Sequence, residues 1–196
     1  MWCWETATYM GQSLYCTGQD DVSRTLELYG VWERDETAQI ASRLQPGDVF
    51  LDFGAHVGWF TLLAAKLGAQ VHAYEGDVEN LDLLRQNARL HGVAEQVTAY
   101  PVWVDADAHV TIPDGPIRLV KVDLEGNDDQ AIRCLGPALD RVEELVVEVS
   151  PCFNDRYPAM VANLQAAGFE VFRGDGTRWD GEWGFNQDNF WFRRPA

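Results

Sequence analysis

The stretch VFLDFGAHVGWFT, residues 49–61, decides the fold of this chain. Its apolar, strand-forming run contains Asp52, Gly54 and Gly58 then bracket a tight turn, and an amphipathic helix follows. A strand, a glycine turn and a helix in this order open a nucleotide-binding α/β domain. Dinucleotide loops use three glycines to close on a pyrophosphate, whereas this turn has two, with bulky Val57 before the second. The turn therefore suits a ligand that contains adenosine but no phosphate.

Strand and helix patterns alternate along almost all of the chain. Apolar runs predict strands at 49–53, 70–75, 97–104, 117–123, 145–149, 169–172 and 189–192, with helical patterns between most of them. The alternation predicts an α/β fold, with a mostly parallel seven-stranded sheet and helices on both faces. The last two strands are joined by a loop without a helical pattern, so they are predicted to form an antiparallel hairpin at one edge. Residues 109–112 predict one further short strand.

The chain has 196 residues, which fits one domain of ordinary size. Residues 1–33 are predicted to be an irregular N-terminal segment that acts as a lid, and residues 34–196 are predicted to be the functional domain. Because the N-terminal segment is short for a substrate-capping domain, a homodimer that completes the acceptor site is a further hypothesis.

Composition bears on partners and location. The formal net charge is -16, and the 15 basic residues are scattered along the chain. Nucleic-acid binding normally uses a basic face, so no nucleic-acid partner is predicted. No segment resembles a signal peptide or a bilayer span, which predicts no membrane partner. The four cysteines form no C-x-x-C pair, and reduced thiols in a cytoplasmic protein are the favoured interpretation.

Acidic residues follow several of the predicted strands. Asp52 and Glu75 belong to the first two strand ends, Asp123 and Glu125 to the fourth, and Glu148 to the fifth. Ligands of parallel sheets bind at the carboxyl ends of the strands, so these carboxylates are predicted to share one crevice. They would repel a phosphate and attract a positively charged sulfonium. The charge pattern therefore favours S-adenosylmethionine over a nicotinamide dinucleotide.

At this point the chain resembles a known family, the FkbM-type S-adenosylmethionine-dependent methyltransferases. The matching segments are LQPGDVFLDFGAHVGWFTLLAA, AYEGDVENLDLLRQNARLHG, IRLVKVDLEGNDDQAIRCLG, LVVEVSP and LQAAGFEV. The K-V-D-L-E-G segment behind D-x-G-A-x-x-G is the most specific part of the match. The resemblance implies the Rossmann-like class I methyltransferase fold and S-adenosylmethionine as the cofactor.

The resemblance also implies a set of site residues. The cofactor-binding residues would be Asp52, Gly54, Ala55, His56, Gly58, Tyr74, Glu75, Val102, Trp103 and Asp123. In this set the glycine turn surrounds the methionine end, Glu75 holds the ribose, and the aromatic residues flank the adenine. The chain departs from the family at three positions, with His56 in place of Asn, Gly76 in place of Pro and Ser150 in place of His.

Methyl transfer needs a positioned acceptor, and an alcohol acceptor must also lose its proton. Asp123 is the first candidate for the catalytic base and Glu125 the second, with Glu148 and His56 as further candidates. Each carboxylate could instead cap or organise its own loop. No cluster has metal-ligand spacing, so no metal site is predicted, although a divalent cation held by carboxylates stays open.

The predicted function is O-methylation of a hydroxyl group of a small molecule or glycan by an S-adenosylmethionine-dependent methyltransferase. An N-methyltransferase is one alternative. A non-catalytic protein that retains the cofactor fold is another. A nicotinamide oxidoreductase is disfavoured because the third glycine is missing.

Overall fold

The computed structural model describes residues 2–5, 13–18, 20–151, 154–183 and 187–195, and for residues 2–5, 13 and 27 it describes the backbone alone. The strands are β1 (Trp2–Glu5), β2 (Ser13–Cys16), β3 (Val49–Phe53), β4 (Gln70–Glu75), β5 (Val97–Pro101), β6 (Ile117–Val122), β7 (Val142–Val149), β8 (Glu170–Phe172) and β9 (Asp188–Arg193). The helices are α1 (Asp21–Tyr29), α2 (Arg34–Arg43), α3 (Trp59–Lys66), α4 (Val78–Leu90), α5 (Asp128–Leu135) and α6 (Tyr157–Ala166).

A seven-stranded sheet in the order β5-β4-β3-β6-β7-β9-β8 forms the centre of the domain. Strands β3 to β7 pair in parallel, and β9 runs antiparallel between β7 and β8. The prediction of a mostly parallel sheet with an antiparallel edge pair is confirmed. The strand order reverses between β3 and β6, and a ligand crevice is expected at such a switch point.

Helices cover both faces of the sheet and bury most of its side chains. One core cluster joins the sheet to residues of α1 to α4, and the other joins it to residues of α5 and α6. Strands buried on both faces are usually continuous apolar runs. Strand β6 departs from this rule, because Lys121 lies within it and is only 3% exposed. The reason for this buried lysine lies in the site described below.

The N-terminal segment differs from the prediction of an irregular structure. Strands β1 and β2 form an antiparallel pair, and α1 follows. The side chain of Asn87 on α4 bonds the backbone of Tyr15 in both directions, at 2.7 and 2.9 Å, and also donates to the carbonyl oxygen of Val57 at 2.9 Å. Long-range contacts of this kind fix the segment, and no local sequence pattern reveals them. Residues 1, 6–12 and 19 lie outside the described part, and the lid role and the boundary at residue 33 stay predictions.

The connection between β5 and β6 also differs from the prediction. Residues 102–116 contain no strand, although a short one was predicted at 109–112. Val110 and Ile112 nevertheless pack on the core, so their apolar character reflects burial without strand pairing. None of the helices in the described part of the chain has both the length and the apolar character of a membrane span.

Candidate functional site

The glycine turn after β3 meets the end of β6 at the switch point. Gly54 has φ 82°, and a Cβ at this position would overlap the carbonyl oxygen of Asp123. The backbone N–H of Asp123 donates to the carbonyl oxygen of Phe53 at 3.0 Å. Only glycine fits both the left-handed conformation and this close approach. The turn therefore holds the first predicted acid, Asp52, close to the last, Asp123.

The carboxylate of Glu75 fixes the geometry of the turn from the neighbouring strand. One oxygen accepts from the backbone N–H of His56 at 2.7 Å, and the other accepts from the backbone N–H of Asp77 at 2.7 Å. His56 itself has φ 50°, and its buried Nδ1 has no hydrogen-bond partner among the described residues. Each carboxylate oxygen retains a lone pair. Glu75 can therefore still accept from ribose hydroxyls, as predicted.

Trp103 explains the unusual glycine at position 76. The indole ring is 71% exposed and lies against the backbone of Gly76, where a Cβ would overlap the ring. The exposed face of an aromatic ring beside the ribose acid can stack on an adenine. The replacement of Pro by Gly at this position therefore has a physical cause, which is the space that the indole needs.

Gly76→Ala should displace Trp103 with little effect on stability. Gly76 does not have a positive φ, so the backbone accepts alanine, and the added Cβ acts mainly on the exposed indole. We expect the affinity for S-adenosylhomocysteine to fall by about tenfold, because base–aromatic stacking contributes roughly 1–3 kcal/mol. Isothermal calorimetry measures this, with Trp103→Ala as the matched variant. An unchanged affinity in both variants would remove Trp103 from the cofactor site.

Tyr74 and Val102 occupy positions other than those predicted. Tyr74 is 1% exposed, stacks on Phe53 with ring centroids 4.3 Å apart, and donates to the carbonyl oxygen of Thr111 at 2.7 Å. It lies inside the core, so its predicted contact with the adenine is wrong in this structure. Val102 packs partly on the same core, and its backbone N–H donates to the carbonyl oxygen of Glu75 at 3.1 Å. Of the predicted adenine-flanking residues, Trp103 alone presents an exposed ring.

Five charged side chains gather beside the switch point, and we call them the carboxylate cluster. They are Lys121 and the acids Glu33, Glu36, Asp123 and Glu148. Lys121 Nζ lies 2.8 Å from Asp123 Oδ2 and 3.8 Å from Glu36 Oε1. Carboxylate oxygens of Glu33, Asp123 and Glu148 lie within 4.8 Å of one another. One lysine thus faces four acids, and the cluster carries an excess of negative charge when they are ionised.

Burial and mutual repulsion shift the pKa values of this cluster. Burial raises the pKa of Glu36 to about 8 and that of Glu148 to about 7, with further repulsion from neighbouring acids, although Lys121 opposes both shifts. Burial alone would lower the pKa of Lys121, but Asp123 and the glutamates of α2 raise it above its ordinary value. Next to the cluster, burial raises the pKa of Asp52 to about 6, even though Thr61 donates to it at 2.6 Å.

The free energy of unfolding should fall as the pH rises from about 5 to about 8. Glu36 and Glu148 keep their protons in the folded state up to pKa values of about 8 and about 7, whereas their ordinary value is 4.5. The folded state then binds more protons than the unfolded chain, so stability decreases with pH. One pKa unit corresponds to about 1.4 kcal/mol, and we expect a decrease of a few kcal/mol.

Urea unfolding across this pH range measures the effect. Glu36→Gln removes one of these titrations and should flatten the curve, while Glu95→Gln, an exposed glutamate outside the cluster, should leave it unchanged. A stability that rises between pH 5 and 8 would contradict the electrostatic account.

The two predicted catalytic residues lie in different surroundings. Asp123 belongs to the carboxylate cluster and its side chain is 24% exposed. Glu125 is exposed, has φ 47°, and lines a separate cavity of about 560 Å³ with residues such as Asn154 and Arg156. The structure thus brings Asp52, Asp123 and Glu148 together as predicted, and it leaves Glu125 apart from them.

Three residues of the cluster were missed by sequence reasoning. Glu33 and Glu36 lie at the start of α2, and Lys121 lies within β6. The lysine had a detectable signal, because a charged residue inside the apolar run RLVKVD is unusual for a buried parallel strand. The two glutamates had none, since acids in a first helical turn are ordinary. The same geometry shows that Glu33, Asp123 and Glu148 could together hold a divalent cation, which sequence spacing did not indicate.

The strand order, the glycine turn at the switch point and the acid at the end of the neighbouring strand define the class of this protein. The chain has the Rossmann-like fold of class I S-adenosylmethionine-dependent methyltransferases. No family model matches the chain, and none of the relatives described below indicates the FkbM type in particular.

One curated relative is similar to a quarter of the chain. It is RlmD of Acidithiobacillus ferrooxidans, a 23S rRNA (uracil-C5)-methyltransferase, which is 44% identical over 52 residues. The match covers 26% of this chain and 12% of the relative, so the chain spans a small part of that protein. rRNA methylases also occur among the similar solved structures. The prediction that excluded a nucleic-acid partner is therefore wrong, because net charge describes the whole chain and does not decide which surface meets a ligand.

Solved methyltransferases share the fold along their full length. A TehB-like SAM-dependent methyltransferase from Corynebacterium glutamicum superposes with a TM-score of 0.63 at 16% identity, covering 88% of this chain and 94% of its own. A Streptococcus mutans protein described as a methyltransferase, in complex with S-adenosylhomocysteine, gives 0.59 at 15% identity, covering 82% and 96%. At the level of this fold class, the prediction of S-adenosylmethionine as the cofactor is confirmed.

Proposed function

We propose that this protein transfers the methyl group of S-adenosylmethionine to a hydroxyl group of a small molecule or glycan. The observation that carries the proposal is the meeting of the glycine turn, Glu75 and Asp123 at the sheet's switch point. Glu75 would hold the ribose and Trp103 would stack on the adenine. The methyl group would then face the carboxylate cluster, whose negative charge favours a sulfonium.

The cluster can accept the proton that the hydroxyl loses. The transfer is an in-line displacement, so the protein mainly holds the acceptor oxygen about 3 Å from the methyl carbon. In this proposal Asp123 takes the proton as the new C–O bond forms. Glu148 lies beside it, and burial raises the pKa of Glu148 to about 7, which suits proton exchange near neutral pH.

Two finer parts of the proposal come from the sequence. The segments that resemble the FkbM type support an oxygen acceptor, and the cysteine pattern supports a cytoplasmic location. N-methylation and the homodimer that completes the acceptor site stay hypotheses of the same kind.

A second candidate acceptor is a nucleic acid. The similarity to the rRNA methyltransferase of Acidithiobacillus ferrooxidans supports it. Incubation with methyl-labelled cofactor separates the candidates, because label in total RNA supports this acceptor and label in oligosaccharides or small hydroxylated molecules supports the first.

Glu75→Gln should weaken the binding of S-adenosylhomocysteine by at least about tenfold. The carboxylate accepts two backbone N–H bonds at 2.7 Å, and an amide turns one acceptor into a donor that faces a donor. Hydrogen bonds to charged groups contribute about 1.5–3 kcal/mol. Calorimetry measures the affinity, and Glu79→Gln on α4 is the control because it changes an exposed glutamate nearby.

The same titration tests the proposed function as a whole. Micromolar binding of S-adenosylhomocysteine to the unmodified protein is expected. Binding of NADH in its place would support an oxidoreductase, and binding of neither would support a non-catalytic relative of the fold.

A further inference from the structure

A second cavity lies between α2 and the β8–β9 edge of the sheet. Its volume is about 360 Å³, and it lies on the same side of the sheet as the carboxylate cluster. The residues that line it are Asp35, Glu36, Gln39, Gly174, Asp175, Gln187, Asp188, Asn189 and Trp191. Glu36 belongs to both the cavity and the cluster, so the two are continuous.

The walls of this cavity are held by long-range bonds. Gln39 Nε2 on α2 donates to the carbonyl oxygen of Gly174 at 2.7 Å, which ties the helix to the end of β8. Asp188 forms an ion pair with Arg173 at 2.8 Å and accepts from the backbone N–H of Gly174 at 3.2 Å. A Cβ at Gly174 would lie 2.9 Å from Asp188 Oδ1. The cavity is therefore a constructed feature of the fold.

Two buried polar atoms at this cavity have no hydrogen-bond partner among the described residues. One is Oε1 of Glu36, whose side chain is 4% exposed, and Lys121 Nζ lies 3.8 Å from it. The other is Nε1 of Trp191, a residue that is 0% exposed. Buried polar groups in folded proteins are normally paired. A ligand that supplies a donor to Glu36 and an acceptor to Trp191 would satisfy both.

The charge of the lining defines the ligand further. Four of the lining residues are acids, and none is a lysine, arginine or histidine. Arg173 neutralises Asp188, which leaves Asp35, Glu36 and Asp175 as an excess. The remaining polar side chains are the amides of Gln39, Gln187 and Asn189, which suit hydroxyl groups. Gln187 also donates to Glu148, which connects the lining to the cluster.

We propose that this cavity binds the protonated amine of a hydroxylated acceptor such as an amino sugar. Glu36 accepts from the ammonium group, and Trp191 Nε1 donates to a neighbouring oxygen of the same molecule. A hydroxyl of the bound molecule then points along the cavity toward Asp123. The inference rests on the proposed function, since it names the class of acceptor for that site.

The test compares two matched probes, D-glucosamine and D-glucose, which differ only in an amine and a hydroxyl. Saturation-transfer NMR titrations use the full chain loaded with S-adenosylhomocysteine at neutral pH. We expect the dissociation constant of glucosamine to be lower than that of glucose by about tenfold or more, because a charge-assisted hydrogen bond adds to the neutral ones.

Three variants assign the preference to residues. Glu36→Gln should raise the dissociation constant of glucosamine by about tenfold and change that of glucose by less than about twofold. Trp191→Phe keeps the ring but removes the N–H, and should weaken both sugars by roughly two- to fivefold. Glu95→Gln, far from the cavity in sequence and exposed, should change neither.

Equal binding of the two sugars, no saturable binding of glucosamine, or an unaltered preference in folded Glu36→Gln would overturn the inference. Displacement of glucosamine by a short RNA would also overturn it, in favour of a nucleic-acid site. Failure of the proposed function is distinguishable, because the unmodified protein would then not bind S-adenosylhomocysteine while the amine preference, measured without it, persisted.

Discussion

Asp123→Asn should lower the rate of methyl transfer by about 10²–10⁴-fold, the usual contribution of a general base. The asparagine keeps an oxygen that can accept from Lys121 Nζ, which bonds Asp123 at 2.8 Å, but it cannot take a proton from the acceptor. The loss should appear in kcat, because Asp123 acts on the departing proton and contributes little to ground-state binding. The affinity for S-adenosylhomocysteine should stay within a few-fold, as calorimetry can show.

Glu125→Gln is the matched control for this variant. Glu125 is two residues away in sequence, but it is exposed and lines the other cavity, so its loss should reduce the rate by less than about threefold. Full activity of Asp123→Asn together with a large loss in Glu148→Gln would assign the base to Glu148. Full activity of both variants would remove the carboxylate cluster from the chemistry.

Lys121→Met should reduce the free energy of unfolding by about 3–5 kcal/mol at neutral pH, the usual effect of removing one partner of a buried ion pair. The lysine is 3% exposed, its ammonium pairs with Asp123, and it lies 4.7 Å from the centre of the Phe60 ring. Methionine preserves most of the volume and the contact with Phe60. The loss of stability therefore reports on the uncompensated acids and not on a cavity.

The pH dependence separates this electrostatic effect from a packing defect. Near pH 5 the acids whose pKa values are raised, Glu36 and Glu148, are largely protonated, so the destabilisation should be smaller there than at pH 8. Lys66→Met, at the end of α3, changes the only other lysine and should cost less than about 1 kcal/mol. Urea unfolding at both pH values measures the difference. An equal loss at pH 5 and pH 8 would contradict the role of Lys121 as the counter-ion.

Most of the fold could be predicted because its signals are local. The glycine turn of residues 49–61, the alternation of strands and helices, and the antiparallel last pair all follow from short-range patterns. The N-terminal segment could not be predicted in this way. Its strands are held by bonds between Tyr15 and Asn87, which are 72 residues apart, and such pairing leaves no periodicity in either segment.

The candidate site was predictable only in part. Asp52, Glu75 and Asp123 lie at strand ends, and the topology of a parallel sheet brings strand ends together. Tyr74 was placed wrongly because side chains alternate between the two faces of a strand, and its neighbour Glu75 takes the face that meets the turn. Trp103 and Gly76 illustrate the same limit, since their contact is a matter of space between two loops.

The amino-acid sequence by itself determined the class of fold, the position of the nucleotide turn and the acids available to it, because these depend on neighbours along the chain. The tertiary structure alone decided that Glu33 and Glu36 of α2 lie over Lys121, and that Trp191 lies in the wall of the cavity beside them. Those contacts join segments far apart in sequence, and their energies come from burial and from charges that meet only after the sheet and helices have packed.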